Sequence, residues 1–149
     1  METVSTSAFE LTLALDATAE RVFAALTDAR QLERWFCDTC ESEPRVNGRL
    51  MMRWDRAGSS SEPFEARWVE FVPHTRAAFQ GGHVGYPRGD AGTVWYVLEP
   101  DSHGTRLTVT HTLPAHAGYE PVLAAWKNAW PRALERLARY LTPATEPSA

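Results

Sequence analysis

Few residues of this 149-residue chain could do chemistry, and His111 comes first among them. It ends the row Leu107, Val109, His111, which alternates with Arg106, Thr108 and Thr110, the period of a strand with one buried face. An imidazole there sits inside an apolar pocket or at its mouth, where it could hydrogen-bond a ligand or move a proton. The plainer account, a core histidine satisfied by backbone or water, is favoured. Glu70 stands in phase with Phe64, Ala66, Trp68 and Val72, so simple alternation turns its carboxylate inward. A buried charge needs a partner, with His111 or Arg53 as candidates. A bulge or strand end that turns Glu70 to solvent is the favoured alternative.

Cys37-Asp38-Thr39-Cys40 is a CxxC. A structural zinc would need two more ligands, and no second CxxC or histidine pair stands near it in sequence. A redox pair works with its nucleophilic thiol at a helix N-terminus, whereas this one follows a helix C-terminus, where the dipole has the wrong sign. Chance spacing is the expectation, with no metal and no cofactor. The glycine-rich stretch 81–92 lacks the Gly-Lys-Ser/Thr ending of a phosphate loop and reads as a hairpin connection. No nucleophile elbow, His-Glu-x-x-His or dinucleotide fingerprint occurs. His74, His83, His103 and His116 fall in or beside turns and are expected at the surface.

The elements that must position these residues are readable from period and punctuation. Phe9, Leu11, Leu13 and Leu15 alternate as a strand. Thr18 and Asp28 can each cap a short helix, the first carrying Val22, Phe23 and Leu26, the second Leu32, Trp35 and Phe36. Strand-like runs follow at 41–46, 49–55, 64–72, 75–81, 92–99 and 105–112, separated by turn signals such as Asn47-Gly48 and Ser102-His103-Gly104. Tyr119, Val122, Leu123, Trp126, Trp130, Leu134, Leu137 and Leu141 then recur every three or four residues, opposite Arg132, Glu135, Arg136 and Arg139. That stripe predicts one long amphipathic helix, kinked at Pro131. The fold class that results is α+β. A seven-stranded curved antiparallel sheet wraps a long C-terminal helix, with two short helices after the first strand. A single domain is expected over 9–141, with flexible tails at 1–8 and 142–149.

Hydrophobic residues make up 44% of the chain and six are tryptophans, a heavy aromatic load of the sort that lines cores and apolar pockets. Alternation places Leu50, Met52 and Trp54 in one inward row and Val94, Tyr96 and Leu98 in another, leaving Trp95 outside. The ligand-lining candidates are Trp35, Trp54, Trp68, Phe79, Tyr96, His111, Trp126 and Trp130; the competing account is a filled core. Fifteen basic against nineteen acidic residues give a net charge of −4. With no basic stripe, nucleic acid is not an expected partner, and an anionic membrane gains nothing from this balance. The N-terminus has neither a basic nor an apolar signal region, and no apolar run nears a membrane span. With two cysteines only, the expected compartment is the cytoplasm.

Four stretches in this order resemble the START-like, or SRPBCC, superfamily with its helix-grip fold, and within it the group related to the activator of the heat-shock-protein-90 ATPase. They are Ala19 to Phe36 (AERVFAALTDARQLERWF), Pro44 to Trp54 (PRVNGRLMMRW, with Asn47 where a first glycine is common), Gly104 to His111 (GTRLTVTH) and Trp130 to Leu141 (WPRALERLARYL). The resemblance implies an internal cavity and a choice of functions. The first is non-catalytic binding or transport of a small hydrophobic or aromatic ligand, a lipid included. The alternative is a polyketide cyclase, aromatase or dehydratase type of enzyme using His111, with Glu70 as partner. The third is a co-chaperone-like interaction module, weakened because no counterpart of the larger members' additional N-terminal domain is seen. The outward Trp95 could mark a homodimer contact.

Overall fold

The computed structural model describes residues 6–54, 63–83, 92–114 and 120–142. Strand β1 (Thr6–Leu15) leads into helices α1 (Ala19–Thr27) and α2 (Ala29–Trp35). Six strands follow: β2 (Thr39–Ser42), β3 (Arg49–Arg53), β4 (Phe64–Val72), β5 (Arg76–His83), β6 (Gly92–Asp101) and β7 (Gly104–Pro114). Helix α3 (Glu120–Leu141) ends the order. The strands form one sheet, β1-β7-β6-β5-β4-β3-β2, and every neighbouring pair is antiparallel. The α+β class, the seven strands and the helix-grip order expected from the sequence are all present. No helix among the described residues is long and apolar enough to cross a membrane.

The short helices start where capping chemistry places them. The Thr18 hydroxyl accepts from the Arg21 N–H at 3.2 Å, and the Asp28 carboxylate from the Gln31 N–H at 3.2 Å. Asp28 also ends α1, its own N–H donating to the Ala24 carbonyl at 2.9 Å. One residue thus closes one helix and opens the next, which fixes the angle at which α2 delivers Trp35 and Phe36 to the core.

Several boundaries differ from the sequence expectation. Thr6, Ser7 and Ala8 belong to β1, paired with Pro114, Leu113 and Thr112, so the expected tail at 1–8 is shorter by those residues. Residues 1–5 and 143–149 lie outside the described residues, as do the connections 55–62, 84–91 and 115–119 and with them Tyr119 and His116. The strand expected over 41–46 occupies 39–42. The residues after it turn on themselves, with Arg45 N–H on the Glu43 carbonyl and Gly48 N–H on the Arg45 carbonyl, both at 2.8 Å. Asn47 takes a left-handed φ of 68° there, a conformation open chiefly to glycine and asparagine. That accounts for asparagine where a glycine is common.

Helix α3 runs as one helix through Pro131, whose missing N–H falls on the solvent side of the helix and leaves the exposed Lys127 carbonyl to water. Its second half is core: Trp130, Ala133, Leu134, Leu137 and Leu141 are all buried. Three side-chain bonds clamp that half to the short helices. Arg136 Nε donates to the Trp35 carbonyl at 2.8 Å, Arg21 Nη1 to the Leu141 carbonyl at 2.7 Å, and Tyr140 Oη to Gln31 Oε1 at 3.1 Å. Both carbonyls sit at helix C-termini, where the backbone lacks its own donors. Arg136, expected on the solvent face, is half-buried for this reason. In the first half Leu123 and Trp126 are only half-buried and most of their neighbours are exposed.

Candidate functional site

Three strand rows and two helices converge on the inner face of the sheet. From β7 come Leu107, Val109 and His111, from β6 Val94, Tyr96 and Leu98, and from β3 Leu50 and Met52, all buried as alternation predicts. Met51 departs from it, being buried although it stands opposite that row. Trp95 points out and is 38% exposed.

All eight ligand-lining candidates meet in one aromatic array. Trp68 touches Phe79 edge-on at 5.7 Å between centroids, and Phe79 lies 6.0 Å from Tyr96. Tyr96 meets Trp130 at 6.3 Å, and Trp130 lies 6.0 Å from Trp126 and 6.2 Å from His111. Trp35 stacks on Phe36 at 4.8 Å and Phe36 on Trp130 at 5.2 Å, while Trp54 reaches Trp126 at 6.2 Å. Phe36 and Phe64 are the joints of this array, and neither is among the eight candidates. The adjacent Trp35-Phe36 pair at a helix end was the signal for the first, the shared phase with Trp68 for the second.

These separations are those of packed rings, so the inner part of the array (Trp35, Trp68, Phe79, Tyr96, Trp130) is closed upon itself, as the filled-core account requires. The other end differs. Trp54, Trp126, Phe9, Leu11 and Leu123 are half-buried, and the first three pack on His111 of β7 and Phe64 of β4 beside the first half of α3. A hollow of about 340 Å³ between Glu65, Ala66, Arg67 and Gln80 includes none of the eight residues.

Four indoles of the array spend their N–H groups on the protein. Trp35 donates to the Ala25 carbonyl at 2.8 Å, Trp68 to Ser42 Oγ at 3.2 Å, and Trp130 to His111 Nδ1 at 2.9 Å. Trp54 donates to the Phe36 carbonyl. The bond from Trp130 determines the state of His111. An indole N–H can only donate, so Nδ1 must present its lone pair, and the proton of the neutral ring sits on Nε2. The imidazole lies between Phe9 at 5.6 Å and Trp126 at 5.0 Å, and burial lowers its pKa to about 4. At neutral pH His111 is therefore a hydrogen-bond donor whose basic nitrogen is already engaged, a poor group for taking up a proton. Tyr96 is fully buried, and its hydroxyl has no partner. Burial, with the Cys37 sulfur nearby, raises its pKa above the ordinary tyrosine range.

Glu70 is not brought to His111 or to Arg53. The β4–β5 register shifts between Trp68 and Glu70, and the inward phase passes from even to odd residues. Phe71 packs inside, edge-on to Phe23 at 5.1 Å and to Trp68 at 5.6 Å. Val72, expected inside, is exposed, and the Glu70 carboxylate pairs with Arg76 Nε at 3.2 Å near solvent. The shift has a local cause. The Trp68 N–H and carbonyl are bound at 2.9 and 2.7 Å by Gly48 and Asn47 of the β2–β3 turn. Cys37 and Cys40 are free and buried. The neighbouring Cys40 thiol, and burial after it, raise the Cys37 pKa above the ordinary thiol range, the reverse of what a redox nucleophile needs. Among the described residues no group of three or more metal-ligating side chains occurs. His74 and His103 are exposed, as expected.

A family model described as activator of Hsp90 ATPase homolog 1-like protein matches residues 16–142. No curated protein matches the sequence. Among solved structures, a protein of Mesorhizobium loti superposes with a TM-score of 0.79 at 18% identity, over 91% of this chain and 96% of its own. The Aha1 dimer protein of Colwellia psychrerythraea gives 0.78 at 16% identity, over 94% and 99%. A protein of the dynemicin biosynthetic locus gives 0.75 at 24% identity, over 90% of this chain and 46% of its own. At these identities the likeness is one of fold.

Proposed function

Because the chain belongs to the activator of Hsp90 ATPase homolog 1-like family, a branch of the START-like superfamily, we propose that it binds a small apolar or aromatic molecule, without catalysis, on the inner face of its sheet. The binding unit is the single domain expected over residues 9–141, lengthened by Thr6, Ser7 and Ala8 of β1, and its compartment is the cytoplasm, in keeping with two free thiols. The observation that carries the reading is the unequal closure of the aromatic array. Its inner rings pack against one another, while Phe9 and Trp126, which contact His111, and Trp54 behind Trp126 are left half-buried. Large rings kept partly open beside a buried donor are what an aromatic ligand can cover, and their burial supplies about 25 cal/mol per Å² of apolar surface removed from water.

The cyclase-like alternative needed His111 and Glu70 to act together. His111 has its basic nitrogen engaged by Trp130, and Glu70 pairs with Arg76, which favours binding over turnover. Native mass spectrometry of the gently purified protein, followed by tryptophan-fluorescence titration with naphthalene-type probes, tests the proposal. A co-purifying apolar molecule or saturable quenching is expected. Bare protein that quenches with no probe would end it. A second reading, a homodimer, draws on Trp95 and Val97, each 38% exposed on the outer face, and on the dimeric Colwellia relative. Sedimentation of the wild type against Trp95→Ala decides it: a dimer that the substitution dissolves supports the contact, and a monomeric wild type removes it.

A further inference from the structure

The buried polar groups of the inner face can be accounted for one by one. Thr27 Oγ1 donates to the Phe23 carbonyl, Thr105 Oγ1 to the Ala17 carbonyl and Ser42 Oγ to the Thr27 carbonyl. The Cys37 thiol reaches the Leu32 carbonyl at 3.7 Å, and the four indoles are bound as described above. Two donors of this face are left over. The Tyr96 hydroxyl is buried with no partner, and the one hydrogen bond of His111 among the described residues is that accepted by Nδ1, which leaves its Nε2–H open. Both rings touch Trp130, at 6.2 and 6.3 Å, Tyr96 in the closed part of the array and His111 beside the half-buried Phe9 and Trp126. A buried donor with no acceptor is costly, and such groups in native proteins are regularly met by a water or a ligand.

We infer that the molecule bound on the inner face is a neutral aromatic carbonyl compound, whose oxygen accepts from His111 Nε2; this rests on the binding reading above. The chemistry selects against the other polar classes. An ammonium or amine would set donor against donor at His111. A carboxylate would bring a full charge among apolar rings and neutral donors. A bare hydrocarbon would leave the Nε2–H unmet. A carbonyl supplies what is missing and adds no charge.

The test compares 2-acetonaphthone with the near-isosteric 2-isopropylnaphthalene by titration calorimetry at pH 7.5. In the wild type the ketone should bind about tenfold tighter than the hydrocarbon. His111→Met, which removes the Nε2 donor, should bring that ratio to about one. Because His111→Met also strips the Trp130 N–H of its acceptor, the wild type carries an independent readout. In ¹⁵N-histidine spectra the Nε2–H proton should move downfield on adding the ketone and stay in place with the hydrocarbon. Equal wild-type affinity for ketone and hydrocarbon, or an unmoved Nε2–H resonance with ketone bound, overturns the carbonyl assignment and leaves apolar binding standing. Failure of both probes to bind overturns the binding reading with it.

Discussion

At the scale of the residue, the bond from Trp130 to His111 turns a titratable side chain into a fixed donor. His111 is neutral in the folded protein down to a pH of about 4, while in the unfolded chain it takes up a proton near its usual 6.5. Between those values the unfolded state holds the extra proton, so stability falls as the pH falls through the window, approaching about 1.4 kcal/mol per pH unit. Above about pH 7 the group adds no slope. Urea unfolding at pH 7.5 and 5.0 should therefore show a steeper loss in the wild type than in His111→Met, and parallel losses would mean a solvated imidazole. Tyr96 gives a second prediction. Deleting a hydroxyl that has no partner should raise stability by about 1 kcal/mol in Tyr96→Phe, readable as an increased denaturation midpoint. A drop of similar size would reveal an acceptor for that hydroxyl in the empty protein. The inward place of both side chains was legible in the strand alternation. The tautomer and the unmet hydroxyl were not, because each depends on which group from another element lies within hydrogen-bond reach.

Elements decide where the alternation can be trusted. The first five of the nine residues of β4 follow simple period-two logic, as far as Trp68, and the docking of the Asn47-Gly48 turn on Trp68 then shifts the rest of the strand. A turn some twenty residues upstream thus reverses the face of Glu70, a coupling that no local pattern encodes. Glu70→Gln should change stability by less than about 1 kcal/mol, since its ion pair with Arg76 is partly solvated; a larger loss in a denaturation curve would mean that the carboxylate is a buried one. Asn47→Ala should cost about 1 kcal/mol through its left-handed φ, and Asn47→Gly should be tolerated. Helix α3 divides in the same physical way. Its second half is buried and clamped by Arg21, Arg136 and Tyr140, whereas its first half offers only Leu123 and Trp126, half-buried, to the sheet. Amide exchange should be faster over 124–128 than over 133–140.

For the molecule as a whole, the aromatic array serves two ends. Trp130 belongs to the core, and Trp130→Ala should cost about 3–5 kcal/mol by leaving a ring-sized cavity and an unmet Nδ1. Trp126 belongs to the open end, and Trp126→Ala should weaken apolar probes while costing far less stability, so paired thermal and binding measurements separate the two tryptophans. What the sequence by itself determined was the order of elements, their inward rows, the caps at Thr18 and Asp28 and the unbroken stripe of α3. Each of these follows from contacts between residues near in the chain, and the ordered stretches were enough to indicate the family. Tertiary structure alone decided how far the rings close on one another, which indoles are spent, and that Glu70 leaves the site while Phe36 and Phe64 join it. Those outcomes depend on distances between side chains from separate elements, and periodicity carries direction along the chain but no distance across it.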